Sequence, residues 1–472
     1  MGNRSSSPIR NCLDVICANR SACVTYPDQA LFAWWAKPFN IELPVIPAAI
    51  IRPLNTIEVS ETVKCAKKYG YKVQAKSGGH SYGNYGLGGL DGAVSIDLVH
   101  LKDFQMDTET WYASFGSGNT LGDLDKGLHE NGRRAIAHGT CPSVGTGGHL
   151  TVGGLGPTSR MWGSSLDHLV EMEVVTADGT VQKASLHNNS DLFWAMRGAG
   201  ASFGIATNFV VKTQEEPGNI VQYSYNIEFG SQDNTASLYK EWQALVADPD
   251  MDRRFSSLFV VHPLGALITG TFFGTEDEYQ ATGIPDRLPG IDKGVVQLTN
   301  WLGHLLHEAE GAGCSVASVP NAFYGKSLAL SKKDLLNDST IDDLFEYLED
   351  TRTETTPVTI IFNTEGGAMM DTPANATAYP HRGSVIMYQS YGLGVVKVSG
   401  ATRMLLDGVH ERIQRSAPGA RSTYAGYIDA WIDRDAAQKL YWADNLPRLR
   451  EIKKVWDPED IVQNPQSVEP AD

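Results

Sequence analysis

Two kinds of hydrophobic periodicity divide the chain. AAIIRP reads as a short apolar strand ended by Pro53. Asn55 then stands where a helix N-cap belongs, with Glu58 three residues on as a capping box. Val59, Val63 and Ala66 fall at i, i+4 and i+7, the stripe of a helix with one buried face, and Gly70 closes it. YKVQAKS and AVSIDL return to strand character. The result is a β-α-β-loop-β unit in which GGHSYGNYGLGG, Gly78 to Gly89, follows a strand. Further on, LDHLVEMEVVTADGTV reads as a helix end and a hairpin turning at Ala177-Asp178-Gly179. Ser190 reads as the N-cap of a short helix that runs into glycines and then a β-run, and this α+β unit ends near Lys212.

From about Pro217 the pattern changes. Alternating runs (QYSYNIEF, SSLFVVHP, LITGTFFG, VTIIFNTEGG, SVIMYQSYG) are separated by helical stretches (SLYKEWQALV, IDDLFEYLED). Such a mixture predicts an antiparallel sheet backed by helices. The last segment, from Asp435, reads as a helix stopped at Asp457-Pro458. At 472 residues two domains are the natural expectation.

Charge narrows the partners. A net charge of −16 and a pI near 5.2 argue against nucleic acid and anionic membranes, and no apolar run approaches the length of a membrane span. A small neutral substrate fits better. Cys12, Cys17 and Cys23 crowd the N-terminus with no CxxC or HxxH beside them, which points to a disulfide staple and no metal. With Asn-x-Ser/Thr sequons at Asn3, Asn19, Asn188, Asn337 and Asn375, they lean towards a secreted protein whose leader is missing, against an intracellular one. MGNRSS matches the loose myristoylation pattern, for which a chance match is the simpler reading.

The glycines carry the chemistry. A Rossmann fingerprint fails: GSGNTLG and GTGGHL do not join a first strand to a helix with an acid about 20 residues on. Glycine loops can instead offer paired backbone N–H groups to an anion. GGHSYGNYGLGG followed by GTCPSVGTGGH resembles the berberine-bridge-enzyme-like branch of the vanillyl-alcohol oxidase flavoproteins, nearest to the fungal gluco-oligosaccharide and chito-oligosaccharide oxidases, over nearly the whole chain.

That resemblance implies a two-domain α+β fold: an FAD-binding domain over residues 1–215, a substrate domain over 216–425, and a C-terminal segment, 426–472, returning to the first. It implies FAD bonded covalently at two points, His80 to the 8-methyl and Cys141 to the sixth ring carbon. Imidazole and thiolate are both nucleophiles able to add to an activated ring. Gly78, Gly79, Ser81, Tyr82, Gly83, Gly145, Gly148, His149 and Gly153 would complete the cofactor site, with Tyr85 a weaker candidate. Tyr427, in STYAGYIDAWI, matches the family's catalytic base, supported by Gln389 and by Asn363 where the family has an aspartate. A Cys12–Cys65 disulfide matches the family; Cys17 and Cys23 could form a second, and Cys314 is expected as a buried free thiol.

Three departures change the expected substrate. VGGLGPTSR replaces the family's GGGYG, PVTII lacks the tryptophan that stacks on sugar, and Asn321 stands loosely where an acid contacts sugar. Aromatic stacking is the usual grip on neutral sugars. The expectation is therefore a monomeric oxidase that passes hydride from a hydroxylated or amine-bearing small molecule, such as a fungal secondary metabolite, to FAD, with O2 giving H2O2. A lactone-forming oligosaccharide oxidase and a flavin cyclase without net oxidation are the alternatives.

Overall fold

The computed structural model describes residues 7–18, 20–228, 234–290, 294–311, 314, 319–351 and 358–472. The β-α-β reading holds at its first strand, Ala49–Ile51, and its helix, Thr56–Lys68. The Asn55 side chain accepts from Glu58 N, whereas the Glu58 carboxylate turns to Leu54 N and Arg20, so only half of the capping box forms. Ala49–Ile51 and Val73–Lys76 flank Val94–Asp97 in parallel, and Val24–Thr25 adds an antiparallel edge. The loop that starts at Gly78 therefore leaves the carboxyl end of a parallel strand, where α/β sheets commonly bind ligands.

A second, antiparallel sheet follows in the order Phe104–Asp107, Tyr112–Gly116, Gly204–Lys212, Leu169–Thr176, Val181–Ser185. Its last two strands are the expected hairpin, turned at Gly179 with φ +80°. The short helix is Ser190–Ala199, with Asn189 at its N-cap position and Ser190 as its first residue.

The third sheet has seven strands, all antiparallel, in the order Val295–Thr299, Ile220–Glu228, Gly265–Phe272, Phe255–His262, Val358–Thr364, Ser384–Gly394, Ala322–Ser331. Alternation assigns its two faces. Phe259, Ile360, Phe362 and Tyr388 are buried in the core that includes Trp242, Leu344 and Leu406, from the helices Thr235–Val246, Asp338–Thr351 and Gly400–Ser416. Leu258, Thr359, Ile361, Asn363, Gln389 and Tyr391 face the other way and line a cavity.

The C-terminal helix divides into Arg434–Trp442 and Leu446–Trp456, broken where Ala443 takes φ +42°. The buried Lys453 ammonium is held by Asp457 at 2.6 Å and by the carbonyls of Ser202 and Val462. This knot fixes the tail, so that Asn464, Gln466 and Ser467 reach the cavity wall. Among the described residues no helix is long and apolar enough to cross a membrane.

The expected Cys12–Cys65 disulfide forms, and Cys17–Cys23, left open by the sequence, forms as well. The third corrects the expected free thiol: Cys314 is bonded to Cys141, 173 residues away. Asn188, Asn337 and Asn375 are exposed, and Asn3 and Asn19 lie outside the described residues.

Candidate active site

A cavity of roughly 620 Å³ lies between the glycine loops, the third sheet and the C-terminal tail. The two loops meet backbone to backbone. A Cβ on Gly78 would stand 2.3 Å from Gly145 N, and one on Gly145 would stand 2.0 Å from Gly78 N. Ser77 ties them, donating to Ser117 O at 2.6 Å and accepting from Gly147 N at 3.3 Å. Gly78 and Gly145 thus serve the loops' approach to each other. Gly79 differs in needing φ +76°, and Gly148 has open space before it.

Of the expected cofactor residues, His80, Cys141, Gly78, Gly79, Ser81, Tyr82, Gly145, Gly148 and His149 line the cavity. Gly83 and Gly153 do not. A Cβ at Gly83 would meet the Tyr85 ring and one at Gly153 the Tyr424 ring, so both are glycine for packing. Tyr85 does reach the wall. Burial holds His80 below the usual imidazole range, leaving it the neutral nucleophile that a covalent bond requires. His149 accepts from Gly139 N at 2.9 Å through Nε2, and burial lowers it to about 3, so its proton is on Nδ1 and the ring is neutral. The Cys141 sulfur is in the disulfide to Cys314, so a thiolate there requires that bond to open.

On the opposite wall the Tyr427 hydroxyl hydrogen-bonds Gln389. Its backbone is set by the Tyr424 and Ser327 contacts: Tyr427 N donates to Tyr424 O, and Ser327 Oγ donates to Tyr427 O at 2.8 Å. Burial pushes its ionisation well above 10, the neighbours Tyr82, Tyr424 and Glu365 push it further, and only the Gln389 bond opposes. The protein alone therefore keeps this tyrosine protonated, the reverse of the depressed value an activated base would show. The Asn363 side chain spends its N–H on Met387 O at 3.0 Å, across the strand pair.

Glu365 was missed by the sequence reading. It lies two residues beyond Asn363, is buried on the cavity wall, and burial raises it to about 8 with Arg160 partly opposing. Arg160, the last residue of the departing VGGLGPTSR stretch, donates to the carbonyls of Glu365 and Phe255 and fixes this corner. The signal was the TEGG that ends the strand, a carboxylate one alternation further along the cavity face. Aromatic walls also exist, from unexpected places. Tyr82 lies 4.2 Å from Phe323 between ring centroids, Phe39 packs on Tyr82, and Phe323 stacks on Tyr391.

Residues 47–185 match the FAD binding domain family, and residues 423–469 match the berberine and berberine-like family. The FAD-linked oxidoreductase sorD of Penicillium rubens is 35% identical over 99% of each chain. The chain belongs to the berberine-bridge-enzyme-like FAD oxidoreductases. Solved members of this family share its fold. The xylooligosaccharide oxidase from Myceliophthora thermophila, in complex with xylobiose, superposes with a TM-score of 0.89 at 30% identity, covering 99% of this chain and all of that one. The glucooligosaccharide oxidase of Acremonium strictum, with a 6-S-cysteinyl, 8α-N1-histidyl FAD, does so at 0.87 and 29% identity, covering 98% and 99%. The chain is thus an FAD-linked oxidoreductase of the vanillyl-alcohol-oxidase fold type.

Proposed function

We propose that this enzyme oxidises a hydroxylated or amine-bearing small molecule of apolar, partly aromatic body, with O2 as acceptor and H2O2 as product. The observation that carries this reading is the convergence of His80, Cys141 and Tyr427 on one cavity. The FAD-binding domain covers residues up to about 215, the substrate domain 216–425, and the last segment closes the cofactor cavity.

His80, and Cys141 once its bond to Cys314 opens, would hold FAD, which when bound supplies the hydride acceptor. Tyr427 takes the proton from the substrate's O–H or N–H as the C–H bond breaks, and Gln389 orients its hydroxyl. Asn363, its amide engaged on Met387, leaves its side-chain oxygen as an acceptor towards the cavity. Burial and its protein neighbours raise Tyr427, so its proton transfer is coupled to the departure of hydride from the substrate. Glu365, neutral in the resting site at pH 7, adds little repulsion.

Phe39, Tyr82, Phe323 and Tyr391 form the grip, with Leu258, Ile361 and Leu393 behind. Thr359 and Ile361, on the strand expected to present a sugar-stacking aromatic, offer none. Rings of this kind suit either substrate, and it is the strand Val358–Thr364, with no tryptophan, that favours a secondary metabolite over an oligosaccharide. Three disulfides and three exposed sequons favour secretion. Anaerobic mixing of the holoenzyme with phenolic and polyketide-like alcohols, beside cellobiose, xylobiose and chitobiose, tests the reading. Bleaching of flavin absorbance by the first group, with peroxide on air admission, is the expected result. Bleaching by the disaccharides alone would establish an oligosaccharide oxidase, and bleaching by neither, with product formed, a cyclase.

A further inference from the structure

The third disulfide differs from the other two. Cys12, Cys17, Cys23 and Cys65 belong to the apolar cluster under the N-terminal helix, away from the cavity. Cys141 lines the cavity wall, in the loop that also presents Gly145 and Gly148. Its partner Cys314 is 5% exposed and comes from the substrate-side half of the chain, with Cα atoms 5.3 Å apart. The loop around Cys141 is pinned: Val144 N donates to Cys141 O at 3.1 Å, Leu121 N to Val144 O at 2.8 Å, and Gly122 N to Pro142 O at 2.9 Å. With the backbone held, the sulfur's freedom is rotation about one bond, χ1. A sulfur makes one such bond at a time.

We infer that Cys314 is a second, competing covalent partner of Cys141, so that the flavin is held at His80 alone while the Cys141–Cys314 bond stands and at both residues once it opens. This rests on the reading of His80 and Cys141 as flavin attachment sites.

The chemistry balances. A small dithiol opens the bond by thiol–disulfide exchange: its thiolate attacks Cys314 Sγ, Cys141 leaves as thiolate, and the second thiol of the reagent displaces Cys314, leaving the reagent oxidised and both cysteines reduced. The Cys141 thiolate then forms the C–S bond to the ring carbon. That carbon loses its hydrogen as a proton, and the two electrons released pass to O2, which takes two protons and leaves as H2O2. Net, one thiol, one FAD and one O2 give one thioether and one H2O2. Cys314 remains a thiol.

The two states have the same mass, since each lacks the same number of hydrogens, so total mass cannot separate them. Alkylation can. The holoenzyme, prepared without reductant, is denatured in alkylating reagent and mapped by peptide mass spectrometry, before and after incubation with dithiothreitol followed by removal of the reagent and exposure to air. Expected before treatment is a Cys141–Cys314 linked peptide together with a flavin peptide containing His80 only. Expected after it is a flavin joining the His80 and Cys141 peptides, with Cys314 alkylated. Cys314→Ser should show the doubly joined flavin without any treatment, and the wild-type arm stands should that variant not fold. Flavin on both residues with Cys314 alkylated in untreated protein would overturn the inference, as would flavin still confined to His80 after dithiol and air. Absence of any flavin peptide, with the linked cysteine peptide present, would overturn the attachment reading itself.

Discussion

Gly78 and Gly145 stand so close that a methyl group on either would strike the other's backbone nitrogen. The neighbour in each case is main chain, which cannot swing aside. Gly145→Ala should therefore separate the two loops, cost on the order of 1–3 kcal/mol as overpacking does, and lower the melting temperature by several degrees. The larger effect should be on flavin content, read from the absorbance of the purified protein, because both proposed attachment residues, His80 and Cys141, ride on these loops.

Tyr427→Phe keeps the ring and removes the hydroxyl bonded to Gln389. Loss of a general base typically costs about 10²–10⁴-fold. Anaerobic flavin reduction by the substrate should slow by that factor, while flavin content and melting temperature stay near wild type. An unchanged rate of reduction would remove Tyr427 from the chemistry.

Glu365 sets a pH dependence. Its ionisation is raised to about 8 in the folded protein by burial, against an ordinary glutamate near 4.3 unfolded. A raised carboxyl favours the folded state's protonated form. Its contribution is fully present below about pH 4, is lost as pH rises, and is gone once pH passes about 8. Glu365→Gln, locked neutral, should melt at a temperature that falls less than wild type's between pH 5 and 9. The ionised carboxylate also makes Tyr427 harder to deprotonate. Wild-type flavin reduction should weaken as pH passes about 8, and the variant's should not.

Asp167 and Arg382 form a two-pronged buried pair, at 2.6 and 2.8 Å, between the turn of helix Ser165–His168 and the turn His381–Gly383 just before the Ser384–Gly394 strand. Arg382 and Ser164 hold the Asp167 carboxylate below its usual range despite burial. Asp167→Asn leaves the guanidinium buried without its counter-charge, and such breaks cost about 3–5 kcal/mol. Denaturant unfolding at pH 7 should show the loss, and the wild-type advantage should vanish as pH falls through the lowered carboxylate value.

Short-range pattern accounts for what was legible. The Thr56–Lys68 helix carries its own cap and stripe, and five strands of the third sheet alternate because one face meets helices and the other a cavity. Ala322–Ser331 escaped because its run AFYGKSLALS mixes glycine, lysine and serines among the apolar residues and matches no clean strand period. Val295–Thr299 is an exposed edge with the opposite problem. In the site, His80, Cys141 and Tyr427 stood out through motif resemblance. Glu365, the grip of Phe39, Tyr82, Phe323 and Tyr391, and the Cys141–Cys314 bond join residues tens to hundreds of positions apart. No local period records such meetings, and the matching of Asn363 to the family's aspartate drew attention from the carboxylate two residues on.

The cavity takes its wall from both ends of the chain, from Phe39 to Ser467. A ribosome makes these ends last to meet. Any stretch emerging early, the glycine loops included, faces water where Asn464, Gln466 and Ser467 will later stand. A nascent chain therefore has no enclosed chamber for a dinucleotide until Asn464, Gln466 and Ser467 have emerged and docked.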